Sequence, residues 1–313
     1  MSDISHDSNS RFSAPIDLTE VRRLFARPGR IAESNFLRRE IAGRMRERLE
    51  LVKINPQSIL DAGCGEGEDL AEMRESFPAS NLIALDASWE MLQAGRVRET
   101  EMRTSMQRLL TKWFPRRAGT SSKLGERAIC GDFANLPLAS NSVDLIWSNL
   151  ALHWHPQPDR VFSEWRRVLK VDGLLMFSCF GPDTLKELRT AFERTGKGTH
   201  ILPFVDMHDF GDMLVQAGFS TPVMDMETIT VTYEALDKLM TDIRGLGGNP
   251  LATRSKGLLG KHLWGHIKAE IELNRSGGKL PLTFEIIYGH AFRPVAKKTA
   301  TGESIIRLDF PKK

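Results

Sequence analysis

A glycine-rich turn constrains this sequence more than any other feature. The run DAGCGEG (61–67) follows the short apolar stretch SILDAG (58–63) and precedes the helix-like stretch EDLAEMRESF (68–77). Glycines at such a point let the backbone bend sharply and let a ligand approach it closely, because no Cβ intervenes. The helix that follows presents free N–H groups and the positive end of its dipole. The turn therefore predicts a ligand site between a first strand and a first helix.

The spacing of Gly63, Gly65 and Gly67 favours one kind of ligand. Dinucleotide enzymes favour GxGxxG, whereas this chain has DxGxGxG, with Asp61 two positions before the first glycine. S-adenosyl-L-methionine has no pyrophosphate, and the ammonium group at its amino-acid end suits a carboxylate beside the loop. The turn therefore favours S-adenosyl-L-methionine as the cofactor, with Asp61 facing the ammonium group directly or through water.

Two further acidic residues end the next two predicted strands. Asp86 ends LIALD (82–86), where a carboxylate can accept hydrogen bonds from both ribose hydroxyls. Asp132 ends RAICGD (127–132) and precedes Phe133, so this pair can accept from the adenine amino group and pack on the ring. A single aspartate at a strand end more often caps a helix. Three acids at the carboxyl ends of successive strands favour one ligand crevice.

Strand-like and helix-like stretches alternate through the chain. The strands continue with VDLIWSN (143–149) and GLLMFSCF (173–180), and two longer ones follow at 223–233 and 282–292. This alternation predicts a Rossmann-like α/β fold, a seven-stranded, mostly parallel sheet with helices on both faces. We expect the two late strands to be neighbours at the sheet edge, which gives an antiparallel edge strand. Between them we expect a helical lid insertion at about 234–281.

The pattern divides the chain into five parts. They are a disordered N-terminal tail (1–16), a helical segment (17–56), a Rossmann-like core that binds the cofactor (57–200), the C-terminal part of the sheet with the lid insertion (201–293), and a C-terminal tail (294–313).

Cysteine and histidine usage argues against metal and disulfide chemistry. The chain has three cysteines, far apart and without a CxxC pair: Cys64, Cys130 and Cys179. We expect all three to be reduced and buried. The pairs His153–His155 and His262–His266 lack a third ligand at a sensible spacing, so no metal is expected.

Charge and hydropathy restrict the partners. No stretch approaches the roughly 18 apolar residues of a membrane span, and residues 1–16 lack the pattern of a signal peptide. With a net charge of only +3, we expect a cytoplasmic protein that binds neither membranes nor nucleic acid. Residues 22–48 nevertheless hold nine arginines, and residues 96–127 hold nine lysines or arginines. Each tract indicates either an acidic partner or a solvated helix face.

Several segments carry a family resemblance. ILDAGCGEGEDL, LIALDASWEML, GDFANLPLASNSVDLIWSNLALHWHP and GLLMFSCFGPDTLKELR resemble class I S-adenosylmethionine-dependent methyltransferases. They are most similar to the malonyl-acyl-carrier-protein O-methyltransferases of biotin synthesis (BioC type). GLGGNP (245–250) and PLTFEIIYG (281–289) extend the resemblance over about residues 20–293.

The resemblance implies an activity and a set of site residues. Members methylate the free carboxylate of a malonyl thioester on acyl carrier protein, which would be the partner here. By resemblance, the residues around the cofactor are Asp61, Gly63, Gly65, Gly67, Asp86, Asp132, Phe133, Asn149 and Leu150.

One position departs from that family. Its members carry a tyrosine seven residues after a phenylalanine like Phe25, and Ala32 stands there in this chain. The segment RLFARPGRIAESNFLRREIAGRMRERL also resembles mitochondrial complex I assembly factors, which are linked to arginine hydroxylation on a partner protein. Two alternatives therefore stay open, an assembly-factor-like protein that modifies an arginine and a non-enzymatic cofactor-binding module.

Carboxyl methylation suits the residues available. A malonyl carboxylate has a pKa of about 4, so it is ionised at pH 7 and requires no general base. Catalysis then consists of aligning the reactants in a closed, dry site, and no catalytic residue is identified. His153 and Trp154 follow the fourth strand and either shape the methyl-transfer pocket or form a structural aromatic pair.

Two places are candidates for substrate binding. Pro182 is typical of a first helical residue, and the helix N-terminus could hold an anion beside Asp183 and Thr184, which otherwise serve as caps. Arg39 and Arg46 belong to a predicted helix from Ser34 to Val52 and could contact an acidic carrier protein.

Overall fold

Seven strands of the chain form a single sheet. The structure is a computed structural model and describes residues 15–98, 100, 128–196, 201–254, 257 and 260–295. Within these ranges the strands are β1 (Ser58–Ala62), β2 (Asn81–Asp86), β3 (Ala128–Cys130), β4 (Val143–Ser148), β5 (Leu169–Phe180), β6 (Ser220–Tyr233) and β7 (Leu280–Phe292). Their order across the sheet is β3-β2-β1-β4-β5-β7-β6.

Strands β1 to β5 pair in parallel, with β1 between β2 and β4. Four of the five residues of β1 are buried, as are five of the six residues of β4, which is typical of strands covered on both faces. The chain moves outward in one direction from β1 to β3 and in the other from β4 to β5. The carboxyl ends of β1 and β4 therefore leave a crevice at this reversal of strand order.

Helices cover both faces of the sheet. They are α1 (Leu18–Phe25), α2 (Pro28–Ile31), α3 (Asn35–Glu50), α4 (Glu68–Ser76), α5 (from residue 89, described to residue 98), α6 (Pro158–Val168), α7 (Lys186–Arg194), α8 (Met207–Gln216), α9 (Leu236–Gly245) and α10 (Lys261–Glu272). Alternate residues of β5 face opposite sides, as strand geometry requires. Leu174 and Met176 join the core with α3 and α7, and Leu175 and Phe177 join the core with α6 and α8. The predicted Rossmann-like fold is confirmed.

The two late strands are neighbours at the sheet edge, as predicted. β6 is the edge strand and pairs antiparallel with β7 from Ser220 opposite Phe292 to Tyr233 opposite Leu280. β7 lies inside the sheet, antiparallel to β5 as well. Strand β7 therefore runs antiparallel to both of its neighbours, whereas the edge strand β6 is antiparallel to β7 alone.

The insertion between β6 and β7 is helical and packs on the N-terminal segment. Ser34 Oγ donates to the Gly245 carbonyl at 2.8 Å, and the Asp17 N–H donates to the Pro250 carbonyl at 2.9 Å. Ile16, placed in the predicted tail, is buried and forms a bridge with Leu251. The insertion therefore supports helices α1 to α3.

Parts of the predicted pattern lie outside the described residues. They are most of the basic tract 96–127, residues 1–14 of the N-terminal tail and residues 296–313 of the C-terminal tail. Among the helices of the described ranges, none is long and apolar enough to span a membrane.

Candidate active site

A cleft of about 890 Å³ opens at the carboxyl ends of β1, β2 and β4. Its floor is the glycine-rich loop, and its outer wall is the N-terminal segment, which contributes Val21 and Phe25 of α1 and Ile31 of α2. Small-molecule sites are typically concave and mostly apolar with a few polar groups, and this cleft combines apolar side chains with Asp61, Asp86 and Arg38. The cleft lies at the reversal of strand order, where the sequence predicts the ligand crevice.

The three glycines of the loop have different tasks. All three have positive φ, 85° at Gly63, 57° at Gly65 and 76° at Gly67, a backbone conformation that strains other residues. A Cβ at Gly63 would lie 2.3 Å from the Ala151 Cβ, whereas one at Gly65 would meet only the Met91 Cε at 3.2 Å. Gly63 and Gly65 line the cleft. Gly67 does not, and it serves as the N-cap of α4.

Asp61 carries an unpaired acidic oxygen at the cleft. Its side chain is 2% exposed, and Oδ2 has no hydrogen-bond partner among the described residues. Burial raises the pKa of this carboxyl well above its ordinary value, and the nearby charges of Asp69 and Asp86 raise it further. Buried polar atoms are nearly always paired, so this oxygen fits a cationic donor supplied by a ligand.

Asp86 lines the cleft at the end of β2. Its Oδ2 accepts a hydrogen bond from the Gly65 N–H at 2.8 Å, and its Oδ1 accepts from the Ser88 N–H at 2.8 Å. Burial raises the pKa of this carboxyl, and the two backbone donors oppose that rise. A carboxylate offers about four lone-pair positions, so two remain for hydroxyl donors of a ligand.

Of the predicted adenine pair, the structure brings only Phe133 into the cleft. Asp132 does not line it. Its Oδ1 accepts from the Ala134 N–H at 2.8 Å and lies 3.8 Å from His155 Nε2. Asp132 therefore orders the turn after β3, and it does not cap a helix, since none follows it in residues 133–140.

Asn149 and Leu150 line the cleft after β4, together with Asp69 of α4. Asp69 Oδ2 accepts from Trp147 Nε1 at 2.8 Å and from Asn149 Nδ2 at 3.1 Å, and burial raises the pKa of this carboxyl to about 6. Leu150 has φ 49°, and its N–H donates to Ser178 Oγ at 3.0 Å. Strained backbone of this kind persists where neighbouring contacts enforce it.

Arg38 is a cleft residue that sequence reasoning missed. Its Nη1 donates to Ser34 Oγ at 3.0 Å and to Asn35 Oδ1 at 3.2 Å. Burial lowers its pKa to about 10, against the opposing charges of Glu68, Asp69 and Glu66. Ser34 faces inward, and Arg38 follows it by four residues on the same side of the helix. This spacing is the signal that could have distinguished Arg38 from the other arginines of α3.

Comparison with known proteins identifies the family. The family described as "Methyltransferase domain" matches residues 60–177. The malonyl-[acyl-carrier protein] O-methyltransferase of Gallionella capsiferriformans (strain ES-2) is 42% identical over 94% of this chain and 97% of its own length. That of Laribacter hongkongensis is also 42% identical, over 93% of this chain and 96% of its own. The chain belongs to the malonyl-[acyl-carrier protein] O-methyltransferase family.

This methyltransferase also shares its fold with a solved structure. The YcgJ protein of Bacillus subtilis superposes with a TM-score of 0.54 at 17% identity, covering 82% of this chain and all of that one. At this identity the likeness concerns the fold alone. The protein is thus an S-adenosylmethionine-dependent methyltransferase with a Rossmann-like fold.

Trp154 lies in the wall of the methyltransferase cleft, whereas His153 lies behind that wall. Trp154 lines the cleft, and its ring centroid lies 5.3 Å from that of Phe25 in an edge-on contact. His153 lies behind it, with ring centroids 4.9 Å apart, and faces a smaller cavity. Burial lowers the pKa of His153 to about 3, so its imidazole is neutral.

The predicted substrate residues Arg39 and Arg46 do not line the cleft. Arg39 Nη2 lies 3.1 Å from Glu68 Oε1, and Arg46 pairs with Glu72 of α4. Further along α3, Arg44 pairs with Glu227 and Arg48 with Asp225 of β6, at 2.5 and 2.6 Å. The arginines of α3 therefore connect the helix to its neighbours, and contact of Arg39 and Arg46 with a carrier protein stays a prediction.

The predicted anion site at Asp183 and Thr184 is also corrected. Helix α7 begins only at Lys186, because residues 182–185 form turns bonded to β7. The Asp183 N–H donates to Glu285 Oε2 at 2.6 Å, and Thr184 Oγ1 donates to the Glu285 carbonyl at 3.0 Å. The Glu285 carboxylate already occupies the Asp183 N–H, and the Thr184 and Leu185 N–H groups donate to the carbonyls of Gly181 and Thr283. The turn is therefore tied to the sheet and offers no free donors to an anion.

The burial of the three cysteines agrees only in part with the expectation. Cys179 is buried and Cys64 partly so, but Cys130 is exposed, contrary to expectation, because the short strand β3 ends there.

Ala32, which stands where the family carries a tyrosine, is exposed and directly follows the cleft-lining Ile31. The departure from the family's tyrosine therefore falls on the cover of the cleft.

Proposed function

We propose that this methyltransferase transfers a methyl group to the free carboxylate of a malonyl group carried by acyl carrier protein, in the cytoplasm. The observation that carries the proposal is the unpaired Asp61 oxygen in a covered cleft of a chain similar along 94% of its length to a malonyl-[acyl-carrier protein] O-methyltransferase. The unpaired acid supports the cofactor, and the length of the similarity supports the substrate.

The residues of the cleft fit S-adenosylmethionine. Asp61 would accept from its ammonium group, and Arg38 would hold the carboxylate at the same end. Asp86 would accept from the ribose hydroxyls with the lone pairs that Gly65 and Ser88 leave free. Phe133 would pack on the adenine ring. When bound, S-adenosylmethionine supplies an electrophilic methyl group on its sulfonium.

The protein has little proton chemistry to perform in this reaction. The malonyl carboxylate, with a pKa of about 4, is ionised at pH 7, and His153 at about 3 is unsuited to act as a base there. Phe25 and Trp154 form an apolar wall that excludes water. Orientation and desolvation of the acceptor are then the contributions of the chain.

The carrier protein would dock on a set of arginines that we call the entrance patch, Arg22, Arg27, Arg30 and Arg244. None of them has an acidic partner among the described side chains. Arg22 lines the cleft, and a Cβ at Gly245, next to Arg244, would lie 3.1 Å from the Arg30 carbonyl. The patch thus spans α1, α2 and α9 on the outer wall of the cleft. Acidic carrier proteins would be attracted to it.

The deciding experiment is an assay of the purified protein with S-adenosylmethionine. Malonyl-carrier protein should gain one methyl group, which mass spectrometry of the released acyl chain should locate on the malonyl carboxylate, whereas the carrier without the malonyl group should gain nothing. A methyl group on the carrier lacking malonate would contradict methylation of the malonyl carboxylate. Cofactor binding without any product would favour the non-enzymatic alternative, and a modified partner arginine would favour the assembly-factor alternative.

A further inference from the structure

His153 has two ring nitrogens without a partner in a buried position. It belongs to the short 3₁₀ turn Leu152–Trp154 after β4 and is 8% exposed. Neither Nδ1 nor Nε2 has a hydrogen-bond partner among the described residues. A neutral imidazole has one donor and one acceptor nitrogen, so both remain unsatisfied.

The surroundings of His153 are aromatic. Its ring centroid lies 4.9 Å from Trp154, 4.8 Å from Phe180 and 5.7 Å from Phe204. Neither ring nitrogen of His153 is bonded to these rings or to any other described residue, and a structural role alone would be met by phenylalanine. Since buried polar groups are nearly always satisfied, the nitrogens point to a ligand that is bound only during function.

The location of His153 says which part of a ligand it would meet. Trp154 lines the cofactor cleft, and His153 lines a smaller neighbouring cavity together with His155, Pro203 and Phe204. His153 therefore lies directly behind a residue of the cleft wall, with its ring against that of Trp154. Arg38, which lines the cleft, is close enough for its charge to act on His153.

We propose that His153 donates a hydrogen bond to the thioester carbonyl oxygen of the malonyl substrate. This inference rests on the proposed function. The thioester carbonyl is separated from the malonyl carboxylate by one methylene carbon, so a donor beside the cleft end reaches it while the carboxylate stays at the cofactor. A neutral donor suits an uncharged carbonyl. It also leaves the negative charge of the carboxylate on the atom that must react.

The test compares two acceptors that differ only at the carbonyl. One is malonyl-coenzyme A, and the other is S-(2-carboxyethyl)-coenzyme A, in which a methylene group replaces the carbonyl. The wild type should prefer the malonyl compound by about tenfold or more in kcat/KM, as sites that hydrogen-bond a substrate group do. His153→Phe, which keeps an aromatic ring in the aromatic surroundings, should lose most of this preference. His153→Gln, which restores a donor, should recover part of it.

Two controls keep the inference separate from the proposed function. S-adenosylmethionine affinity by calorimetry and the melting temperature should be unchanged in His153→Phe. An equal loss on both acceptors, or no loss on either, would overturn the role of His153. If the wild type forms no ester from either malonyl carrier, the proposed function fails instead. The same pair of ligands, compared by calorimetry with S-adenosylhomocysteine present, would then decide whether His153 recognises the carbonyl.

Discussion

Asp86 ties the glycine-rich loop to the end of β2, because its Oδ2 accepts a hydrogen bond from the Gly65 N–H at 2.8 Å. The same carboxylate accepts from the Ser88 N–H through Oδ1 and lines the cleft. One side chain therefore orders the glycine-rich loop and also lines the cleft. Loss of this carboxylate should remove both contributions at once.

We expect Asp86→Ala to weaken S-adenosylmethionine binding by about tenfold or more. A hydrogen bond to a charged group contributes roughly 1.5–3 kcal/mol, and a factor of ten in affinity corresponds to about 1.4 kcal/mol. Calorimetry measures the change. Asp86→Asn should bind better than Asp86→Ala, because its carbonyl can still accept from one backbone N–H. Unchanged affinity in both variants would contradict the ribose-binding role.

Substitutions at Gly63 and Gly65 should distinguish a glycine that is required by packing from a glycine that lies next to the ligand. Gly63→Ala should lower the melting temperature, because its Cβ would overlap the Ala151 Cβ at 2.3 Å. The double variant with Ala151→Gly should regain part of the loss. Gly65→Val should leave a folded protein with a lowered melting temperature, since φ 57° strains a β-branched residue but the nearest obstacle is the flexible end of Met91. It should abolish cofactor binding by filling the cleft. Normal binding by Gly65→Val would make this glycine structural as well.

The raised pKa of Asp61 predicts that cofactor binding depends on pH. Without ligand, burial and the charges of Asp69 and Asp86 keep this carboxyl protonated to a higher pH than usual. An ammonium group requires the ionised form, so binding should release a proton. Affinity should therefore rise with pH until the raised pKa is passed and then level off. Calorimetry in buffers of different ionisation enthalpy counts the protons.

The control for this prediction is Asp69, whose pKa is about 6 and which titrates in the same cleft. Asp69→Asn should reduce the proton release at binding without abolishing it, because burial, the larger cause of the raised Asp61 pKa, remains. Asp61→Asn should abolish the release. Asp61→Asn should also bind S-adenosylmethionine more weakly and with little dependence on pH. Proton release that persists in Asp61→Asn would assign it to another group.

The sheet and the cofactor loop could be predicted because both depend on local patterns. Buried parallel strands appear as short apolar runs, and a strand, a glycine turn and a helix follow one another within 58–77. Helix α3 was likewise predicted from apolar residues at helical spacing. The sequence could not show that Asp86 lines the cleft and Asp132 does not, because both end predicted strands. Asp132 stands two residues beyond the end of β3, and its side chain turns back on its own loop.

Partners that are distant in sequence explain why the pairing of the α3 arginines and the start of α7 could not be predicted. Arg48 pairs with Asp225, 177 residues away, and its guanidinium lies 3.9 Å above the Tyr288 ring centroid. Helical spacing relates a residue only to neighbours three and four positions away, so it could not show this pairing. The start of α7 was mispredicted for the same reason, because Glu285 of β7 accepts from the Asp183 N–H of the turn before the helix.

The entrance patch yields the last prediction, which separates a carrier-protein enzyme from a small-molecule one. Reversal of two exposed members, Arg27→Glu with Arg244→Glu, should raise KM for malonyl-carrier protein on the order of tenfold, because the patch would then repel an acidic partner. KM for malonyl-coenzyme A should change little, since its reacting part lies in the cleft. Added salt should weaken wild-type turnover of the carrier substrate in the same selective way, as the Debye length is about 8 Å at physiological strength.

The matched control makes the same change of charge on α3. Arg39→Glu with Arg46→Glu breaks the pairs with Glu68 and Glu72, so it should lower the melting temperature without favouring one acceptor over the other. The two double variants have equal net charge, and a difference between them therefore reports where the charge lies. If the α3 variant raised KM for the carrier protein as strongly as the entrance-patch variant, docking at the cover of the cleft would be refuted. If neither raised it, arginines without acidic partners would be a solvated surface, and the carrier would be recognised through its acyl arm.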